Sequence, residues 1–406
     1  MKLGNNYTSL IIGDVGSGKT YVALISALAY LSNAKASKVC LVAPTEVLAY
    51  QHYQQLISIL DKLNITDINT VYLSGKNKIL NGSKVTKFNQ EVLKDQKLFC
   101  VGTHAVFNIF ETNFDLVIVD EQHKFGVNQR GIFGSYPHHF LSFTATPIPR
   151  TLALSLFSTL NTQFIERLEG RATITTQLLS FDRLLNDQFF QQLESNYLSK
   201  GVKVYIVCPK IEVKEAEDKV YSVDEIYEYV EARYPDKVLK LTGKVKNKKD
   251  IIQDFKDSTT KNILVSTSVI EVGIDIAQAR VMIIMNSERF GLAALHQLRG
   301  RIGRNNENDN ICYLAIDKKY LKSNRLQVLV NSQDGFQIAQ EDLKIRGSGD
   351  IAGSIQSGFA EEIDFITKID ESDMLQLQEE IKNLDIEQLP RLKNYLVNKL
   401  KNYHGE

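Results

Sequence analysis

Short aliphatic and β-branched runs recur along the chain, separated by longer stretches in which apolar positions return every third or fourth residue. In the first part the strand-like runs are 9–13, 38–43, 69–73, 98–102, 115–119 and 140–144, and Tyr21–Leu31 and Thr45–Leu63 read as helices between them. Such alternation predicts a parallel sheet covered by helices. Gly170 and Arg171 mark a linker, after which the pattern restarts with a strand at Ile174–Ser180, a helix through Lys200, and runs at 202–208, 237–241, 262–266, 280–285 and 311–316. The expectation is an α/β chain with two parallel-sheet domains. Glycines at 347, 349, 353 and 358 would break a helix over Asp334–Gly358, so that segment reads as a hairpin or loop. Beyond it, apolar residues at Leu375, Leu377, Ile381 and Leu384, with a break at Pro390, predict two short packing helices.

Ligands bind beyond the carboxyl ends of strands in sheets of this kind, and the informative residues cluster there. GDVGSGKT follows the first run and precedes a helix. Gly13, Gly16 and Gly18 permit turns that direct backbone N–H groups inward, Ser17 sits among them, and the helix start adds its positive dipole end. A loop of this kind places Lys19 at the β and γ phosphates of a nucleotide and the Thr20 hydroxyl on Mg²⁺. A plain connecting turn is the alternative, and the flanking strand and helix argue against it. Other strand ends carry Pro44 and Thr45, Thr103 and His104, Asp120 and Glu121, and Thr144 and Thr146. In an acidic pair after a strand, Asp120 can hold Mg²⁺ while Glu121 polarises an attacking water. Alone the pair would be a helix start, and the threonines would be local caps.

The second domain has no phosphate loop, so one site shared across a cleft is expected. Its clearest contribution is HQLRGRIGR, His296–Arg304, where Arg301 and Arg304 lie three apart and can face one way on a helix or tight turn. Guanidinium groups from a second domain stabilise charge on a transferring phosphate once the cleft closes. Composition changes this picture little. The 406 residues are 43% hydrophobic and 24% charged, with Lys plus Arg and Asp plus Glu both at 48, so no global positive field marks a nucleic-acid partner. KVKNKK at 244–249 is a local basic patch, read first as a solvated loop and helix start. No apolar run approaches the roughly 18 residues of a membrane span, and four unpaired cysteines in strand-like runs fit a reduced, cytoplasmic setting.

Taken together, GDVGSGKT, APTEVLAYQHYQQL, GTHA, VDEQHKFGVNQR and FTATPIPRTLALSLF resemble the motor of superfamily two helicases, and within it the bacterial RecG branch-migration translocases. Lys124 stands where that family carries Arg; the related coupling factor Mfd departs from DEQH. The resemblance implies two tandem RecA-like parallel-sheet domains, 1–169 and 170–332, followed by a translocation-motif hairpin and helices at 333–406. It assigns the arginine-finger motif to Gln297, Gly300, Arg301, Gly303 and Arg304, and places Gly273 and Asp275 near the nucleotide and Thr267 near the nucleic-acid backbone. Pro44, Thr45, Thr103, His104, Thr144 and Thr146 become strand-contacting or coupling positions, joined by Arg346, Gln356 and Ser357 of the translocation motif; Ser348 replaces an expected Pro or Ala. The implied activity is ATP-dependent translocation with Mg²⁺ on duplex, forked or branched DNA by a monomer in the bacterial cytoplasm. RecG proteins carry a large N-terminal wedge domain, whereas twelve residues precede Gly13, so the expectation is a separated motor, a natural truncation or an expressed fragment, with a separate wedge or partner domain as a candidate partner. The segment that would contact adenine is likewise not recognised. An RNA helicase or transcription-coupled motor stays open, as does a nucleotide-gated binding module without turnover.

Overall fold

The computed structural model describes residues 7–33, 37–75, 77–86, 96–109, 114–121, 125, 139–145, 161–167, 172–209, 219–243, 245, 247–267, 276, 278–303, 309–352, 376 and 380. Apolar runs of the first part form a sheet of nine strands: β1 (Tyr7–Gly13), β2 (Lys38–Val42), β3 (Asn69–Ser74), β4 (Asn77–Leu80), β5 (Ser83–Lys84), β6 (Leu98–Gly102), β7 (Leu116–Asp120), β8 (His139–Thr144) and β9 (Asn161–Ile165). Their order is β5-β4-β3-β6-β2-β7-β8-β1-β9, parallel except for the antiparallel β3-β4-β5 edge. Helices α1 (Lys19–Ser32), α2 (Glu46–Lys62) and α3 (Ala105–Ile109) connect the strands.

Sequence explains these elements locally. Thr45 is extended and its Oγ1 accepts the Leu48 N–H at 3.3 Å, capping α2 where its apolar stripe begins. Ala49, His52, Tyr53, Leu56 and Leu60 fall at helical spacing and are buried; one of the five is polar. In α1 the buried set is Ala23, Leu24, Ala27, Leu28 and Leu31. Both sheet faces are covered by apolar clusters, as the near-continuous apolar strands require. Register pairs Asp120 with Phe143 and Ile12 with Thr144, so the carboxyl ends of β7, β8 and β1 are level.

A second sheet of six strands is wholly parallel, in the order β10-β15-β14-β11-β13-β12: β10 (Ile174–Ser180), β11 (Lys203–Cys208), β12 (Val238–Leu241), β13 (Ile263–Thr267), β14 (Ala279–Ile284) and β15 (Asn310–Ile316). Its helices are α4 (Phe181–Leu184), α5 (Asp187–Asn196), α6 (Val223–Glu231), α7 (Lys248–Asp257), α8 (Leu292–Arg299), α9 (Asn324–Asn331) and α10 (Gly335–Ala352). Ser222 and Glu225 form a reciprocal capping box on α6. The chain divides into two compact units, Met1–Ile148 with Leu160–Ile345, and Pro149–Thr159 with Arg346–Glu406; both sheets belong to the first. In the second, Gln376 Nε2 donates to Glu380 Oε1 at 3.1 Å.

The structure departs from the sequence expectation in two places. Strands β4, β5 and β9 were not expected: the first two are short, and β9 is the polar run NTQFI without a continuous buried face. The break expected at Gly347 and Gly349 is absent, because α10 continues through both. Asp334 starts this helix, its Oδ1 accepting the Phe336 and Gln337 N–H groups at 2.7 and 3.2 Å, and an interior glycine costs only about 1 kcal/mol relative to alanine. Gly353 and Gly358, like the helices expected from Leu375 to Leu384, lie outside the described residues or nearly so. Among the described residues no helix is long and apolar enough to cross a membrane.

Candidate active site

The loop after β1 has the backbone that its glycines allow: Gly16 and Gly18 take φ of 73° and 85°, the left-handed region that glycine enters without cost. Ser17 N–H donates to Asp14 O at 3.1 Å, and α1 starts without a side-chain cap, leaving its first N–H groups to a ligand. A Cβ on Gly13 would lie 3.0 Å from Lys19 Cγ and 3.2 Å from Ile165 Cβ, so glycine is needed for the Lys19 stem to pass. The Ser17 hydroxyl is buried with no hydrogen-bond partner. Lys19 Nζ donates to Gly13 O at 2.9 Å and Asp14 O at 2.6 Å. Burial draws its pKa below the ordinary lysine value, and the Arg301 guanidinium adds to that; Glu121, Asp120 and Asp14 act in the opposite sense.

Asp120 ends β7 and borders a small cavity with Lys19 and Thr20. Glu121, the next residue, is buried with φ of 53°, a left-handed conformation that a non-glycine side chain resists. Its N–H donates to Phe143 O at 2.8 Å, and its Oε1 accepts the Ala145 N–H at 3.1 Å. The acidic pair is therefore tied to the residue following Thr144. Thr20 and Asp120 fit a hard cation that takes its remaining ligands from phosphate and water, and among the described residues no cluster of three or more His, Cys, Asp or Glu competes as a metal site.

Sequence reading overlooked the contact between the loop and the second sheet. Asp14 is 3% exposed; its Oδ1 accepts the Val15 N–H at 2.6 Å and pairs with His296 Nε2 at 2.5 Å, while Oδ2 accepts the Gly335 N–H at 3.1 Å. Burial opposes its charge, but the His296 hydrogen bond and the two amides prevail and pull the carboxyl down to about 2. Arg299 Nη2 donates to His296 Nδ1 at 3.0 Å; since guanidinium only donates, the His296 proton is on Nε2, facing Asp14. Arg299 itself is buried and also reaches Thr176 Oγ1, Leu329 O and Ser332 O at 3.2, 2.6 and 2.9 Å. Beside it, a Cβ on Gly300 would run into the Val15 side chain. Arg167 Nη1 donates to Gln333 Oε1 at 3.1 Å, bracing the linker against the chain before α10.

The remaining expected positions fall as follows. Gly300 caps α8, so Arg301 sits in the turn beyond the helix, its N–H bonded to Leu298 O, and Gln297 is buried within α8. Thr144 and Thr103 are buried at strand ends, His104 is exposed, Pro44 and Thr45 are half-buried, and Thr267 ends β13. Arg346 lies on α10. Thr146, Gly273, Asp275, Arg304, Gln356 and Ser357 lie outside the described residues. Missed entirely were Asp14, His52, His296 and Arg299. His52 and Arg299 carried a signal, being polar residues at positions where the helix stripe is buried.

The DEAD/DEAH box helicase family matches residues 3–155, the helicase conserved C-terminal domain matches 188–306, and the C-terminal part of domain 3 of the ATP-dependent DNA helicase RecG matches 332–399. The ATP-dependent DNA helicase RecG of Aquifex aeolicus is 40% identical over 366 residues, 86% of this chain and 44% of that protein. Its namesake from Synechocystis is 38% identical over 413 residues, 98% of this chain and 48% of that one. A solved structure of RecG bound to a three-way DNA junction superposes with a TM-score of 0.66 at 32% identity, covering 86% of this chain and 45% of the other. Mss116p bound to single-stranded RNA and AMP-PNP, at 17% identity and a TM-score of 0.57, covering 89% of this chain and 79% of that one, shares the fold. The chain spans about half the length of the curated relatives it matches.

Proposed function

We propose that this chain belongs with the RecG ATP-dependent DNA helicases, over the half of their length that it spans, and is an ATP-driven motor that moves on duplex or branched DNA. One observation carries this: Lys19, Thr20 and Asp120 line one cavity, while the same loop is bound to α8 beside the second sheet through Asp14–His296 and Val15 against Gly300. In this reading the loop amides of 13–20, with Ser17 and Lys19, hold the nucleotide phosphates, and Gln297, Gly273 and Asp275 complete the pocket. Thr20 and Asp120 would hold Mg²⁺, which neutralises phosphate charge when bound. Glu121 polarises the attacking water, its position fixed by the Ala145 amide. Arg301, joined by Arg304, stabilises charge on the transferring γ-phosphoryl group from the second sheet.

The strand ends of the first sheet serve as the DNA side of the machine, with Pro44, Thr45, Thr103 and His104 as contacts, and Thr144 and Thr146 relaying the state of Glu121. Thr267 contacts the backbone from the second sheet, and Arg346, Gln356 and Ser357 transmit the step. We take 1–169, 170–332 and 333–406 as the functional divisions, acting as a monomer in the cytoplasm. The test is ATP hydrolysis by the parent, Lys19→Ala and Glu121→Gln proteins with duplex, forked and single-stranded DNA and with RNA. DNA-stimulated turnover lost in both variants is expected. Equal turnover in parent and variants, or stronger stimulation by RNA, would overturn the proposal.

A further inference from the structure

His52 stands on the buried stripe of α2, between Ala49 and Leu56, where packing asks for an aliphatic residue. The residue is 4% exposed, and its Nδ1 is buried with no hydrogen-bond partner, which is destabilising. A side chain kept at such cost needs a contact that an aliphatic residue could not make. That contact is Asp120: His52 Nε2 lies 2.9 Å from Asp120 Oδ2, across 68 positions of sequence. A carboxylate only accepts, so Nε2 carries the proton and donates. His52 also borders the cavity that Lys19, Thr20 and Asp120 share.

α2 starts at Thr45, whose hydroxyl caps the helix and which, with Pro44, we place on the DNA side. From Thr45 to His52 is about two helical turns of continuous backbone hydrogen bonding, a stiff connection. We infer that His52 is a positioning residue that ties the DNA-facing end of α2 to the Asp120 carboxylate, so that strand engagement is felt at the cation site. This inference rests on the motor reading above. Asp120 hangs from the end of β7 and needs a fixed rotamer to meet a cation; a donor from α2 supplies it and moves when α2 moves. His52 touches no phosphate in this scheme and acts through Asp120.

Two variants separate the donor from the packing. His52→Phe keeps a planar ring and removes the N–H; His52→Gln returns an N–H at similar reach. Three quantities are measured on the full chain: the thermal unfolding midpoint, ATPase kinetics with and without duplex DNA, and the Mg²⁺ concentration needed for half-maximal binding of fluorescent mant-ADP. Loss of an outer partner of a metal-binding carboxylate typically costs about 10–100-fold. H52F is therefore expected to lose about tenfold or more of DNA-stimulated kcat with KM for ATP nearly unchanged, and to need about tenfold more Mg²⁺, at an unfolding midpoint close to the parent. H52Q is expected to recover most of both.

If H52F is stimulated like the parent, or H52Q is as impaired as H52F with equal folding stability, the inference falls. The same holds if the kcat loss appears equally without DNA and without any change in Mg²⁺ requirement, since that is packing damage. A parent inert toward ATP with DNA present overturns the motor reading and this inference with it. An active parent with an unimpaired H52F overturns this inference alone.

Discussion

Asp14 lies in the loop after β1, yet two of the three hydrogen-bond partners of its carboxylate, His296 and Gly335, come from far along the chain. Its carboxyl sits at about 2 against an ordinary 3.8, so the fold favours the ionised form. The stabilisation is fully present above pH 4 and is lost as pH falls through about 2; near-complete burial justifies converting it to roughly 2 kcal/mol. Asp14→Asn should therefore be less stable than the parent at pH 7 by about that amount, with the gap closing toward pH 2, as read from urea midpoints at both values. Glu121 pairs chemistry with strain. Its left-handed backbone predicts that Glu121→Gly loses turnover while its thermal midpoint holds or rises, since relieving such a conformation returns on the order of 1 kcal/mol. A fall in midpoint as large as that of a core truncation would contradict this.

Among elements, the α8 terminus and the phosphate loop meet where Gly300 faces Val15. Gly300 has right-handed helical dihedrals, so alanine suits its backbone and only the collision matters. Gly300→Ala should impair ATP hydrolysis, and adding Val15→Ala should restore it, a double-mutant cycle with coupling of about 1 kcal/mol or more. In α10, Gly347→Ala and Gly349→Ala should raise helix content and stability by about 1 kcal/mol each, checked by far-UV circular dichroism and melting; a turn at these positions would give the opposite sign. Elements with strong signals were legible from sequence. All the apolar runs became strands, and α2 starts at its Thr45 cap, because buried parallel strands and capped amphipathic helices leave local marks. β9 escaped because its hydrogen bonds to β1, not an apolar face, hold it in the sheet.

For the whole molecule, the loops proposed to bear chemistry were visible one by one, but their meeting was not. GDVGSGKT carries the glycine spacing that Gly16 and Gly18 use to turn with positive φ. Nothing in the string announced that Asp14 pairs with His296, because the contact spans 282 positions and only three-dimensional packing creates it. His52 was hidden similarly: on a helix wheel it counts as a flaw in an apolar face until Asp120 appears opposite. DNA affinity is a property of this scale too. With equal numbers of acidic and basic residues, binding must rest on local phosphate contacts, so the affinity for duplex DNA should fall steeply and log-linearly with salt, with a slope smaller after Lys248→Ala only if the basic patch takes part.

The amide of Gly335 that binds Asp14 is also the first of an 18-residue helix, which at 1.5 Å per residue is about 27 Å long. Anchored at one end, such a rod is a lever. In the motor proposed above, a small tilt at the Asp14 anchor would be enlarged along this helix as far as Ile345, the part that shares a compact unit with the loop after β1.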